Sequence, residues 1–453
     1  MAFCSRQRVA VLSPLFAAMA FSFHSSTAQS AGYGIYENSA GYMGTAFAGK
    51  ASNPQDASIA ANNPAGIAYV EGTQISVGSA VIFEGGEFEG QHIAPNLQGQ
   101  LEVVAQGKTK DFQSTTLVPF GHFVIPMNEQ LSFGLSGYAP YGIELDYDKS
   151  WAGQYFGNKT SVKTINIQGT VSYKFQEDFS VGFGLIGSYV KGELTQKSSG
   201  TAPTDPPISI PPQNANIDAK VDGDAEAIGW TVGALWRVRE QTYLGLSYFS
   251  QLDFKLKGDV AANGTATLFG QTLPVNEKSK AKLDITMPEK AALSLTHHLN
   301  DEWTLMADAT WTRWSRFEEF YVRADNSDLS SYIPIKWTDV WSWSFGASWQ
   351  VAPEWKLRAG YMFDQSPVDD KNRTARTPDA DRNWFTLGAN WKADPKFSID
   401  LSYAYVSLKK GKVSETKHNP PGDSPEVVES YGTFTGEYNN SSHIVAAQLN
   451  YIF

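Results

Sequence analysis

Along most of the chain, apolar and small or polar residues alternate with a period of two. Trp341, Trp343, Phe345, Ala347, Trp349 and Val351 share one parity, while Ser342, Ser344, Gly346, Ser348 and Gln350 share the other. Phe397, Ile399, Leu401, Tyr403 and Tyr405 alternate with Ser398, Asp400, Ser402 and Ala404, and Phe179, Val181, Phe183 and Leu185 with Ser180, Gly182 and Gly184. The chain closes on the same beat, with Val445, Ala447, Leu449, Tyr451 and Phe453. Period two predicts strands with one bulky and one small face. The pattern predicts strands at residues 73–89, 113–127, 131–147, 161–175, 179–197, 224–239, 242–258, 281–299, 303–323, 337–352, 355–364, 382–393, 396–409 and 440–453, an even set of fourteen. Short turns (126–129, 393–395) alternate with long links at 90–112, 198–223, 259–280, 324–336, 365–381 and 410–439. The link at 198–223 carries five prolines and is expected to be neither helix nor strand, but long enough to fold over one end.

The small face decides the class. A soluble sandwich shows charge to water, but here the second face is Ser, Gly, Ala and Thr. Such residues suit the inside of a closed barrel, and bulky aliphatic and aromatic side chains suit lipid. Hydrocarbon cannot satisfy open strand edges, so closure is required. The expected fold is an all-β, 14-stranded antiparallel transmembrane β-barrel. Fourteen strands leave a lumen too wide for strand side chains to fill, since about eight is the filled size. Residues 31–72 lack the alternation and are rich in Gly, Ala, Asn and Ser. They are expected to form short helices and turns, a small N-terminal hatch that plugs the barrel of residues 73–453.

The first thirty residues read differently again. Arg6 and Arg8 precede an apolar run, Val9 to Phe23, and then small residues. This is a removable secretory signal at residues 1–30, with cleavage after Ala28 or Ser30. Its removal takes two arginines, no acid and Cys4, the single cysteine of the 453-residue chain. Composition then narrows the chemistry. With 36 Lys+Arg against 47 Asp+Glu, the chain lacks the basic excess of a nucleic-acid binder. One cysteine excludes a disulfide framework and a cysteine zinc site. The run Gly182 to Gly187 fits G-x-G-x-x-G, but it lies in a period-two strand with no following helix, so it reads as small lumen-facing residues. His297 and His298 are neighbours on a strand and point to opposite faces, so they cannot share a metal. No cofactor and no metal site is expected, and the chain is not expected to be an enzyme, although separated Ser, His and Asn side chains could still assemble across strands.

An ordered set of motifs resembles the long-chain fatty acid transporter (FadL-type) family of Gram-negative outer membranes. The set begins with Ala31-Gly32-Tyr33, Gly41, Gly44, Ala48-Gly49, Asp56 and Asn63-Pro64-Ala65, which resemble the family's hatch. Tyr141-Gly142, Pro288-Glu289 and the aromatic stretch Trp311 to Phe317 follow. Then come Arg358 to Tyr361, Asp364 to Val368, Asn372-Arg373 and Pro378 to Arg382. The resemblance favours cleavage after Ser30. It implies a passive channel of the bacterial outer membrane, acting as a monomer among outer-membrane lipid and lipopolysaccharide. Its ligand would be a hydrophobic molecule, most simply a long-chain fatty acid. The ligand would be captured by extracellular loops, held in an apolar pocket beside Ala31 and Tyr33, and released sideways through a gap at a kinked third strand. Gly137, Pro140 and Gly142 interrupt that strand, because Pro140 brings no N–H to the ladder and Gly weakens it. Tyr141 lies between them. Asn63, Pro64 and Ala65 form a turn that either holds the hatch or takes part in transport. A carboxylate head would want a cation; Lys191, Lys197 and Lys336 are candidates, with Lys336 carried forward. Arg373, Asp379, Asp381 and Arg382 are expected to order an external loop. Two other readings remain: a carrier of aromatic hydrocarbons on the same scaffold, and a solute porin with an open lumen.

Overall fold

The computed structural model describes residues 32–202, 208–423 and 426–453. The signal at residues 1–30, Ala31, and the prolines at 203, 206 and 207 lie outside the described residues. Fourteen antiparallel staves form the wall. They are β1 (Gln74–Pro95), β2 (Thr116–Pro126), β3 (Leu131–Tyr138 and Gly142–Asp146), β4 (Lys159–Gln176), β5 (Phe179–Ser198), β6 (Ala215–Arg239) and β7 (Thr242–Phe249 and Leu252–Leu268). The ring continues with β8 (Gln271–Met287 and Lys290–His298), β9 (Trp303–Thr312), β10 (Val340–Ala352), β11 (Trp355–Asp364), β12 (Arg382–Asp394), β13 (Phe397–Leu408) and β14 (Thr433–Ile452). Each pairs with the next, and β14 returns to β1 from Gln74↔Ile452 to Ile93↔Thr433, which closes the barrel.

The two-residue beat is the physical signature of this wall. Trp341, Trp343 and Phe345 of β10 are exposed outward, while Ser342 and Ser344 are buried inward. Ile228 of β6 is 84% exposed, a position tolerable only against lipid. Among the described residues no helix is long and apolar enough to cross a membrane; the crossing elements are strands.

Residues 32–70 fill the lumen. They make one helical turn, α1 (Ala40–Met43), and two 3-10 turns, Ala57–Ala61 and Pro64–Tyr69. Each begins at a side chain that accepts a backbone N–H, namely Ser39, Asp56 and Asn63, which is the physical reason such short turns hold. The wall makes room with glycine. A Cβ on Gly360 would lie 2.2 Å from the Thr45 carbonyl carbon, and one on Gly182 would lie 2.3 Å from that of Pro64. The glycines at 182 and 184 thus face the lumen within β5, and no nucleotide turn exists there.

The structure departs from the sequence reading at several links and in one strand. The link at 198–223, expected to be neither helix nor strand, holds a short hairpin of Gly200–Ala202 with Ile208–Ile210, a 3-10 turn at Pro212–Asn214 and the first residues of β6, because its prolines all precede Ala215. The links at 324–336 and 410–439 also carry short strands, Ser331–Pro334 and Gly411–Thr416. The links at 90–112 and 259–280 are not open loops. β1 runs to Pro95 and pairs with a further strand, Leu101–Lys110, and β7 and β8 continue as a hairpin to Leu268 and Gln271. Their exposed faces mix Glu, Gln, Lys and Asn with a few apolar residues such as Leu101 and Val103, so the regular alternation that betrays a lipid-facing strand is missing. The strand expected at 303–323, in turn, stops at Thr312. A 3-10 turn at Trp314–Arg316 follows, and the aromatic residues leave the wall for the interior.

Candidate functional site

The third stave is broken at Ala139–Tyr141. Its ladder with β2 ends at Gly121↔Gly137 and resumes only as a single bridge, Gln113↔Leu145. Gly137 itself stays paired, and the break centres on Pro140, which cannot donate to a neighbouring strand. The start of the hatch takes over there. Ile35 N–H donates to the Pro140 carbonyl at 2.9 Å, and Gly142 N–H donates to the Tyr33 carbonyl at 2.7 Å. Tyr141 is held from the other side: its N–H donates to Thr164 Oγ1 at 3.0 Å, and its hydroxyl donates to the Pro288 carbonyl at 3.0 Å. The structure therefore brings Tyr33, Pro140, Tyr141 and Gly142 into one place, with Gly137 at its edge.

Above this break lies an aromatic cluster. The Tyr33 ring is 5.4 Å from Phe317, 5.4 Å from Trp337, 6.3 Å from Phe320 and 6.5 Å from Trp314, and Tyr141 meets Trp314 at 6.0 Å. The turn after β9 carries Trp314 and Phe317 inward. It is pinned by Arg313 and Arg316 on the buried carboxylate of Glu289, at 3.1 and 3.2 Å. Gly32 sits at φ +64°, and a Cβ there would lie 2.9 Å from both Trp314 and Trp337. Its N–H donates to Asp379 Oδ2 at 2.8 Å.

Asp379 belongs to the loop between β11 and β12, where the predicted charges converge. It pairs with the buried Arg382 and accepts from Ser366 Oγ at 2.8 Å. Arg373 donates to the Asp379 carbonyl at 2.8 Å and pairs with Asp370. Asp381 accepts from Ser366 N–H at 3.0 Å and from Lys409 at 2.9 Å. Lys336 is exposed, at φ +50°, between buried Ile335 and Trp337.

Asn63, Pro64 and Ala65 lie elsewhere. Asn63 Nδ2 donates to the carbonyls of Ala51, at 2.7 Å, and Ala234 of β6, at 3.1 Å, while Ser172 and Ser180 donate to the Ala65 carbonyl. This turn fastens the hatch to β4, β5 and β6. It shares no hydrogen bond or ring contact with the aromatic cluster among the described residues.

A cavity of about 400 Å³ opens between the loops on the far side of the cluster. Its walls include Leu194, Ile210, Ile217, Phe320, Val322 and Ile333. A narrow apolar slot against Val162, Leu256, Leu283 and Ile285 shares Leu194, Phe320 and Val322 with it, so the cavity leads toward the aromatic residues. Its polar end holds Arg376 and Lys417. Both were missed in the sequence, where they are two of several basic residues in long polar links. Trp337 and Phe320 were placed in predicted strands and gave no inward signal. Among the described residues no cluster of His, Cys, Asp and Glu could hold a metal ion.

The family model described as outer membrane protein transport protein (OMPP1/FadL/TodX) matches residues 21–453. The chain belongs to this family. Outer membrane protein P1 of Haemophilus influenzae is 27% identical, over 94% of this chain and 96% of its own length. A long-chain fatty acid transport protein of an Escherichia coli O6:H1 strain is 26% identical, over 88% and 92%. Among solved structures, a Pseudomonas aeruginosa FadL homologue superposes with a TM-score of 0.81 at 24% identity, over 93% of this chain and all of the other. The Pseudomonas putida toluene transporter TodX gives 0.67 at 15%, over 91% and 97%. This FadL/TodX family member is thus a β-barrel of the bacterial outer membrane. Its family comprises transport channels for hydrophobic compounds.

Proposed function

We propose that this barrel takes up hydrophobic molecules passively, most simply long-chain fatty acids, and releases them sideways into the membrane through the break in β3. The observation that carries the reading is the pairing of Tyr33 and Ile35 with Gly142 and Pro140. The hatch start stands in for a missing strand neighbour, so its withdrawal uncovers an opening in the wall. A ligand would enter the cavity between the loops, follow the apolar slot and displace Tyr33 from its aromatic neighbours. Tyr33 is then at the displaced end, and Gly137, Pro140, Tyr141 and Gly142 frame the exit. Asn63, Pro64 and Ala65 anchor the part of the hatch that stays. Arg373, Asp379, Asp381 and Arg382 order the loop that holds Gly32, and Lys336 stands at the rim as a charge that a polar head could meet. No energy source is required, and we take the chain to be a monomer, bathed by lipid and lipopolysaccharide, with no catalytic role. A solute porin is disfavoured because residues 32–70 fill the lumen; a carrier of aromatic hydrocarbons would use the same route.

The test is uptake of labelled oleate and labelled toluene by cells lacking their own transporter. Wild type is run beside Pro140→Thr, which restores an N–H and a β-former at the break. Uptake of either ligand, falling several-fold in the variant, is the expected result. Entry of small polar solutes with neither ligand taken up would sink the reading in favour of a porin.

A further inference from the structure

The outer wall carries a row of cations that follows the strand register. Lys163 of β4 stands opposite Lys191 of β5, Lys191 opposite Asp224 of β6, and Asp224 opposite Lys257 of β7. Lys257 stands opposite Lys282 of β8, and Lys282 opposite Arg323 of the next strand, Glu319–Ala324. All six lie on the outward parity of their strands, and Asp224 is the single acid among them. Lys191, Lys257, Lys282 and Arg323 are exposed, and Lys163 is half-buried. With neighbouring strands about 4.8 Å apart, the row runs roughly 24 Å around the barrel. It starts at the break in β3, where Gly142 stands opposite Lys163. Its height can be read from β6. The lipid-facing residues Trp236, Val232, Trp230 and Ile228 end there, and Asp224 lies four residues beyond Ile228, on the long-loop side. Four residues advance about 13 Å along a strand, or about 10 Å in height at the usual barrel tilt of roughly 40°. The row therefore stands just above the hydrocarbon, at the level of lipid headgroups.

The acids of the wall do not neutralise this row. One step further out stand Glu193, Asp222 and Asp259, opposite one another in turn, and other lysines engage them. Lys159 and Lys220 meet Glu193 at 3.0 and 3.1 Å, and Lys280 meets Asp259 at 2.9 Å. At the two ends of the row, Glu144 takes Lys163 and Asp284 takes Arg323, each at 2.9 Å. Lys191, Lys257 and Lys282 are left without an ion pair among the described residues. Lys255 and Glu226, one step nearer the membrane, are both exposed and offset each other in charge. Like charges directly opposite one another weaken a sheet. Lys163 with Lys191, Lys257 with Lys282, and Lys282 with Arg323 are three such contacts in one line. An anion lying across them turns repulsion into attraction, which is how basic clusters beside a membrane hold anionic lipid. We propose that this outer face of β4 to β8 binds a phosphorylated glycolipid of the outer leaflet. Lys191, Lys257 and Lys282 take its phosphates, and the apolar band ending at Ile228 takes its acyl chains. The wall continues outward past the row as polar strand, which gives a sugar chain a surface to lie on, whereas a glycerophospholipid ends at the headgroup.

This face does not depend on the uptake route, and its test reads lipid binding alone. The purified full chain in detergent, at about 0.15 M salt, is titrated with bisphosphorylated lipid A, with the same lipid A stripped of both phosphates, and with phosphatidylglycerol. Bound lipid is counted by native mass spectrometry. One lysine at a charged lipid surface contributes roughly a fivefold factor. Wild type should therefore hold the bisphosphorylated form roughly tenfold or more tighter than the stripped form. The triple variant Lys191→Gln, Lys257→Gln, Lys282→Gln should lose that preference and bind the stripped form as wild type does. Heat-modifiable gel mobility reports its folding, and the three single variants, each weaker by roughly fivefold, decide the matter if the triple variant does not fold. A second triple variant, Lys159→Gln, Lys220→Gln, Lys280→Gln, removes the same charge from lysines that already meet acids, and should cost less than about threefold. Equal losses in the two triple variants overturn the row as a site, since net charge alone would then explain binding. Equal affinity of wild type for the two lipid A forms, or unchanged binding in the first triple variant, overturns it as well. Phosphatidylglycerol held as tightly as bisphosphorylated lipid A overturns the glycolipid. Displacement of lipid A by inorganic phosphate overturns the lipid-binding face in favour of a site for free anions.

Discussion

The two ends of the hatch are held by different physics. The body, residues 39–69, meets the wall backbone to backbone, through glycines that leave no room for a side chain, and through buried polar anchors on many staves. Gly49 N–H donates to Asp308 of β9 at 2.5 Å, Lys50 to Thr310 at 2.8 Å, Gln448 of β14 accepts from Ser39 and Ala40 at 3.0 Å, and Gln168 of β4 donates to the Ala60 carbonyl at 2.7 Å. The start, residues 32–36, is held mainly by aromatic rings and two hydrogen bonds borrowed from a broken strand, with single bonds from Gly32 to Asp379 and from Tyr36 to Asp364. Contacts that depend on close approach and buried charge resist displacement. Ring contacts and strand-edge bonds are exchangeable for an apolar ligand. The lesson is that a plug can be fixed and gated at once if its anchor and its latch use different interactions.

Breaking the anchor should have the largest effect. Arg358 of β11 pairs with Asp400 of β13 at 2.5 Å and reaches Gln55 of the hatch at 3.1 Å, with both charges buried. Arg358→Met leaves Asp400 uncompensated, a loss of about 3–5 kcal/mol. We expect a marked drop in the thermal midpoint and steady ion conductance in planar bilayers. An unchanged midpoint with a closed channel would show that the body is not anchored there. Next in size is Gly360→Val, which forces a side chain against the Thr45 backbone. Overpacking of this kind costs about 1–3 kcal/mol, and it should raise conductance less than Arg358→Met does. At the other end, Tyr33→Leu keeps apolar bulk within the rings. It should shift stability by less than about 1.5 kcal/mol, leave conductance at the wild-type level and still change the rate of oleate uptake. Conductance equal to that of Gly360→Val would erase the distinction between the ends.

How much of this was legible in the sequence follows from the same distinction. The wall is written in period two, because lipid on one side and a small-residue lumen on the other act at every second position. Trp341 to Val351 states it without help from any other segment. The break at Pro140 was legible because proline's missing N–H is a local property. The aromatic cluster was half legible. Trp314 and Phe317 stood out as a motif, but the same alternation that marks a strand hid the turn that carries them inward. Arg376 and Lys417 were not legible at all. What distinguishes them from Lys191 or Lys409 is burial beside a shared Gln196 oxygen, a property of two loops and the end of β5 brought together by barrel closure. Asn63-Pro64-Ala65 could be recognised as a turn, but only the lumen glycines at 182 and 233 show which staves it grips.

The junction between anchor and latch carries its own titratable group, and here the effect should be the most local. Glu37 is 2% exposed; one carboxylate oxygen accepts the Tyr36 N–H at 3.0 Å and the other has no partner among the described residues. Burial pushes its carboxyl from 4.5 up to about 7. An acid whose value is raised in the seated hatch holds its proton there and gives it up when exposed. The seated state is therefore favoured at low pH, and this preference is lost as pH rises from 4.5 through about 7. Amide exchange of residues 32–38, expressed as protection factors to remove the intrinsic pH dependence, should show protection declining across that window. In Glu37→Gln the decline should vanish, while residues 57–69 keep the same protection in both proteins. A parallel decline across 57–69 would mean that the latch and the anchor open as one unit.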